Sequence, residues 1–130
     1  MKKVLVLLLA LVLVMTTVGT AMAAGKVGIS MPTKSLQRWN EDGNYLQAQF
    51  EAAGYEVELQ YAGDNDVPTQ VAQLETMLLN GCDVLVITAI ESTALGTVLA
   101  TAKENGVKVV CHDRIIMDTP AVDYYATFDN

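Results

Sequence analysis

Two short runs concentrate the side chains of this sequence that could do chemistry. The first is Met31-Pro32-Thr33-Lys34-Ser35-Leu36-Gln37-Arg38-Trp39, which brings two cations and the only tryptophan of the chain within six residues of one another. The second is Cys111-His112-Asp113-Arg114, where a carboxylate that only accepts hydrogen bonds stands beside a planar guanidinium with five donors. A neighbouring acceptor and donor fork of this kind suits a polyol, whose adjacent hydroxyls each donate and accept. An aromatic face suits the apolar C–H side of a sugar ring. Lone surface cations are ordinarily only solvated, and an Asp-Arg step is equally a local ion pair or a helix cap. Trp39 either completes the apolar stripe of its helix or offers an indole face to a ligand.

Catalytic readings of the same residues fail on geometry. Cys111, His112 and Asp113 resemble a nucleophile, base and orienter in a row, but strand side chains alternate, so His112 points away from both neighbours. His112 is the only histidine, which leaves a zinc site without its usual second imidazole, and it is expected as a packed or second-layer residue. No G-x-G-x-x-G follows the first strand and no G-x-x-x-x-G-K-[ST] occurs, so the phosphate cradles of dinucleotide and P-loop enzymes are missing. Asp64-Asn65-Asp66 reads as a turn before a helix, since a calcium loop needs a glycine at its sixth position and a glutamate at its twelfth. We expect no enzyme, no cofactor and no metal site.

The elements that must position these runs are marked by three glycines. Gly54, Gly81 and Gly106 each close a helical stretch and precede a strand-like run, as a C′ glycine does in successive βα units. The strand-like runs are Lys26–Met31, Tyr55–Tyr61, Asp83–Ala89 and Lys108–His112, with a weaker fifth over Val122–Phe128. Val84-Leu85-Val86-Ile87 is apolar on both faces, which marks a parallel sheet covered on both sides. Between the runs, three sets recur at helical spacing: Trp39, Gly43, Leu46, Phe50 and Ala53; Val67, Val71, Leu74 and Leu78; Leu95, Val98, Leu99 and Ala102. Asp66, followed by Pro68, is expected to cap the second helix and Ser92 the third. The predicted fold is an α/β doubly wound parallel sheet, ordered βαβαβαββ or βαβαβαβ(α)β. Ligands of such sheets collect outside the carboxyl ends of the strands, which is where both chemistry-bearing runs fall.

Composition bounds the setting. Met1-Lys2-Lys3, the apolar run Val4–Met15 and the small-x-small site Ala21-Met22-Ala23 form a Sec signal peptide, with cleavage expected after Ala23. The apolar run falls short of the ~20 residues that span a bilayer. Without residues 1–23 the chain keeps six basic and fifteen acidic side chains, a net charge of −9, which repels nucleic acid and anionic lipid. Residues 24–130 amount to one small domain. Cys82 and Cys111 fall at opposite ends of neighbouring strands, beyond the ~7 Å reach of a disulfide, so two free, buried thiols are expected.

The runs Val27-Gly28-Ile29-Ser30-Met31-Pro32-Thr33-Lys34-Ser35 with Arg38-Trp39, Gln73-Leu74-Glu75-Thr76-Met77, Gly81–Ile87, Gly106–Val110 with Asp113-Arg114, and Tyr125–Asn130 resemble the periplasmic sugar-binding receptors of the ribose and xylose type. The xylose-binding and multiple-sugar-binding members are the most similar. The resemblance covers essentially all of residues 24–130. It implies a fold of two α/β lobes that grip a monosaccharide and hand it to an ABC permease in the inner membrane, with a chemotaxis or sensor receptor as a further partner. It implies a periplasmic monomer when complete, with Arg38, Trp39, Asp113 and Arg114 lining the sugar and Lys34 beside them. Asn130 matches a segment near the first hinge crossing. Members of that family continue for about another domain, so residues 24–130 are expected to be an N-terminal lobe without its second lobe, leaving a sheet edge and a helix-packing face exposed. A repressor core of related fold is disfavoured by the export signal, the acidic charge and the lack of a helix-turn-helix before the first strand. A small exported flavodoxin-like enzyme and a non-functional receptor fragment remain as alternatives. Pentose, galactose-type and glucose-type pyranoses would all suit an Asp-Arg pair.

Overall fold

The computed structural model describes residues 23–128. The expected signal peptide and the role of Asn130 therefore lie outside the described residues, apart from Ala23 itself. Eight elements follow one another: β1 (Lys26–Met31), α1 (Gln37–Ala52), β2 (Glu56–Tyr61), α2 (Val67–Leu79), β3 (Val84–Ile87), α3 (Gly96–Glu104), β4 (Lys108–His112) and β5 (Tyr124–Ala126). The sheet order is β2-β1-β3-β4-β5 and every pairing is parallel. Ile29 of β1 stands between Leu59 of β2 and Val86 of β3. β4 and β5 are joined without a helix, the first of the two expected element orders.

The strands alternate their side chains between two cores. Val27, Ile29, Met31 and Val86 pack with Trp39 of α1 on one face, joined by the partly buried Leu46 and Phe50. Leu85, Ile87, Val109 and Cys111 pack with Leu74 and Met77 of α2 and with Val98, Leu99 and Ala102 of α3 on the other. Helices on both faces make the doubly wound architecture that the uninterrupted apolar strands required. α1 approaches the sheet closely at Gly43, where a Cβ would stand 2.7 Å from the Tyr61 hydroxyl. Gly54, Gly81 and Gly106 have φ of 91°, 78° and 73° with no atom near a would-be Cβ. Their left-handed backbone, rather than space, calls for glycine there.

Three local expectations are corrected. α3 begins at Gly96 with Leu95 at its cap position; Ser92 lies in the preceding turn, where its carbonyl accepts a hydrogen bond from Met117 N at 2.8 Å. Asp66 occupies the α2 cap position but makes no side-chain bond to the helix backbone; its carboxylate accepts from the Thr69 hydroxyl instead. Ala53 ends the expected α1 stripe at the exposed cap of the helix and is not part of its buried face. Both cysteines are free and buried, as expected. β5 is exposed along its length, and Tyr124, Tyr125, Phe128, Ile115 and Met117 are each at least half or nearly half exposed around it.

Candidate functional site

Arg38 and Trp39 stand in the first turn of α1, and the loop that delivers them is tied down from within. Thr33 is buried, its hydroxyl accepts from Ser35 N at 3.0 Å, and the Ser35 hydroxyl donates to Asp64 Oδ1 at 2.8 Å. Asp113 and Arg114 follow the last residue of β4. Asp113 is left-handed, with φ of 60°, a conformation that Asp and Asn tolerate better than most residues. β5 holds it there on both sides: Asp113 N donates to Ala126 O at 2.8 Å, and the Tyr125 hydroxyl donates to Asp113 O at 2.9 Å. The turn beyond it folds over the Cys111 thiol, which donates to Arg114 O at 2.7 Å and accepts from Ile116 N at 3.1 Å. Burial pushes the Cys111 pKa up, against the opposing effect of that Ile116 N–H.

The two runs meet at the carboxyl edge of the sheet. Arg38 Nη2 lies 2.6 Å from Asp113 Oδ1, a charge-assisted bond across 75 residues of sequence, and Arg38 Nε is 3.8 Å from Asp42 Oδ2. The Arg38 guanidinium lies 4.7 Å from the Trp39 ring and 4.7 Å from the Phe128 ring, and the Arg114 guanidinium lies 5.1 Å from Trp39. Arg114 Nη1 also donates to Ala89 O at 3.3 Å. Trp39 is 3% exposed. That decides between its two roles: the indole is a core side chain that carries both guanidiniums, and it offers no open face. The exposed aromatic stacked on Arg38 is Phe128, at 53%, which the residue-type argument passed over in favour of Trp39.

Lys34 is not brought to this cluster. Its ammonium lies 5.2 Å over the Tyr61 ring, on the side of a polar groove of about 850 Å³ lined by Asn40, Asn44, Gln47, Glu58 and Gln73 among others. His112 lies as expected on the face opposite Cys111, with Nδ1 2.9 Å from the Thr88 hydroxyl. Cys111 and His112 therefore cannot act as a catalytic pair. Arg38, Asp113 and Arg114 form a donor and acceptor row over a buried aromatic base.

The chain matches the periplasmic binding protein domain over residues 27–130. It belongs to the periplasmic binding protein domain family. Among relatives of this family, the multiple sugar-binding periplasmic protein SbpA of Azospirillum brasilense is 57% identical over 104 residues, covering 80% of this chain and 29% of that protein. The D-xylose-binding periplasmic protein of Escherichia coli is 36% identical, covering 91% of this chain and 35% of its own length. The crystal structure of an ABC transporter solute binding protein from Clostridium phytofermentans with bound β-D-glucose shares 60% identity and a TM-score of 0.78, covering 80% of this chain and 32% of that one. A carbohydrate transporter solute binding protein from Chloroflexus aurantiacus in complex with D-glucose shares 37% identity and a TM-score of 0.72, over 79% and 30% of the two chains. The periplasmic binding protein domain seen here thus spans about a third of the length of these relatives.

Proposed function

We propose that the carboxyl edge of this sheet is one wall of a monosaccharide site in an exported receptor that serves an ABC sugar importer. The Arg38–Asp113 bond supports this reading: 2.6 Å long and made between the first turn of α1 and the residue after β4, it fixes a carboxylate and a guanidinium side by side where ligands of such sheets collect. Arg114 extends the donor row and Trp39 supports both guanidiniums. Lys34 is a cation on the neighbouring rim, beside Tyr61. The likeness to a solute binding protein holding β-D-glucose and to multiple sugar-binding and D-xylose-binding proteins favours a pyranose as the ligand.

On this reading residues 24–130 are one sugar-binding lobe in the periplasm, delivered there by cleavage after Ala23. A second lobe supplies the opposite wall, and closure of the two lobes presents the sugar to the permease and to a chemotaxis or sensor receptor. Calorimetric titration of the purified chain with xylose, arabinose, galactose, glucose and ribose tests the reading. Asp113→Asn is the matched variant, because asparagine tolerates the left-handed backbone that alanine would strain. Because the opposite wall belongs to a second lobe, the expected result is weak saturable heat with a pyranose, with affinity falling by roughly a further 10- to 100-fold in Asp113→Asn, the worth of a hydrogen bond to a charged group. Equal heats from both proteins would overturn the assignment of Asp113.

A further inference from the structure

The fully buried polar side chains of the described residues are Ser30, Thr33, Gln70 and Thr88. Gln70 is the largest of them and stands on the buried face of α2, beside Leu74 and Met77, where an apolar residue would meet no desolvation cost. Every polar capacity it uses is directed at the carboxyl edge. Its Nε2 donates to Ser30 Oγ at the end of β1 and to Thr88 O just beyond β3, both at 3.0 Å, and its Oε1 accepts from Ile90 N at 3.0 Å. The Ile90 N–H and the Ala89 C=O belong to one planar peptide unit and point in opposite directions when that unit is trans. No cis peptide occurs in the described chain. By capturing the Ile90 N–H, Gln70 turns the Ala89 carbonyl away from itself, and that carbonyl is the acceptor for Arg114 Nη1.

We propose that Gln70 is a positioning residue: by fixing the Ala89–Ile90 peptide it sets the pose of the Arg114 guanidinium against Trp39. The role of that pose in sugar recognition rests on the function proposed above, whereas the pose itself does not. Gln70 is fully buried and shares no hydrogen bond with Arg114, and acts through one peptide plane.

Trp39 is the only tryptophan of the chain, so its fluorescence and its quenching by acrylamide report directly on whether Arg114 covers it. The experiment is a double-mutant cycle in the full chain with Gln70→Met, which keeps the volume and removes all three bonds, and Arg114→Ala. Gln70→Met is expected to raise acrylamide quenching to the level of Arg114→Ala and to add nothing in the Arg114→Ala background. An equal increase in both backgrounds would show that Gln70 acts on packing alone and would overturn the proposal. Should Gln70→Met fail to fold, Gln70→Glu, which keeps the acceptor for Ile90 N, is expected to leave quenching unchanged in both backgrounds, and a rise to the level of Arg114→Ala would overturn the proposal. Sugar titration of the same variants separates the two levels: Gln70→Met is expected to bind about tenfold more weakly than the parent, within the range of couplings carried through a packed network. A non-additive Trp39 cycle with unchanged sugar affinity in Gln70→Met would refute the link to sugar recognition and leave the positioning role standing.

Discussion

The two ends of the sheet both carry ion pairs at strand termini, and they use them differently. At the amino end Lys26 Nζ lies 3.1 Å from Glu56 Oε1 and 3.5 Å from Glu58 Oε2, Glu58 also accepts from Gln60 and Asn80, and Lys26 N donates to Asp83 Oδ2 at 2.8 Å. Burial works to raise the Glu58 pKa, but the bonds from Asn80 and Gln60 and the Lys26 charge outweigh it and hold the carboxyl below its usual range. Lys108 and Asp123 close the start of β4 against the approach to β5 in the same way, at 2.9 Å. These groups spend their capacity on one another. At the carboxyl end the support comes from beneath: Gln70 and Cys111 hold the backbone, Thr88 holds the His112 ring, Trp39 holds the guanidiniums, and Arg38 and Arg114 keep donors to spare. Paired charge at one end staples strands; at the other, where Arg38 is also paired with Asp113, the proposed function has the guanidiniums' remaining donors meet a ligand.

Exchanging substitutions between the ends gives the largest effect. Asp113→Asn is expected to reduce sugar affinity by about 10- to 100-fold with little change in the thermal midpoint, whereas Asp83→Ala is expected to lower stability by about 1 kcal/mol through loss of its bond to Lys26 N and to leave sugar affinity unchanged. Denaturant melts and titrations of the two variants side by side check this, and a loss of affinity from Asp83→Ala would erase the distinction. A smaller effect concerns pH. The Val109 N–H and then the Lys108 ammonium hold the Asp123 carboxyl below its usual range. A depressed folded-state pKa contributes stability that is present above the unfolded value of about 3.9 and is lost as pH falls through the lower folded value. Asp123→Asn is therefore expected to be less stable than the parent at neutral pH, with the gap closing below about pH 4. Thermal midpoints of both proteins between pH 2.5 and 7 are the measurement, and a constant gap across that range would contradict it.

Much of the frame was legible because apolar runs and turn residues agree. Lys26–Met31 and Lys108–His112 are strands to the residue, and Leu95, Val98, Leu99 and Ala102 are all buried where α3 meets the sheet. The α2 stripe was only half legible. Leu74 is buried as expected, but Gln70 and Met77 take the deepest positions while Val71 and Leu78 are partly exposed, since a pattern of apolar residues places a glutamine outside by default. The site followed the same division. Arg38, Trp39, Asp113 and Arg114 come together because both runs begin at strand ends. The burial of Trp39, the turn of Lys34 to Tyr61 and the stacking of Phe128 on Arg38 are set by tertiary packing that residue types and spacing do not encode.

The central claim, that the carboxyl edge and not the amino edge is the ligand surface, is tested most directly by nuclear magnetic resonance of the isotope-labelled chain titrated with glucose and xylose. The account predicts saturable shifts in the Arg38 and Arg114 guanidinium signals, the Asp113 amide and the Trp39 indole, with the signals of Lys26, Glu58 and Asp83 unmoved. Saturable shifts centred on the amino end, or on Lys34 and Tyr61 with Asp113 silent, would contradict it.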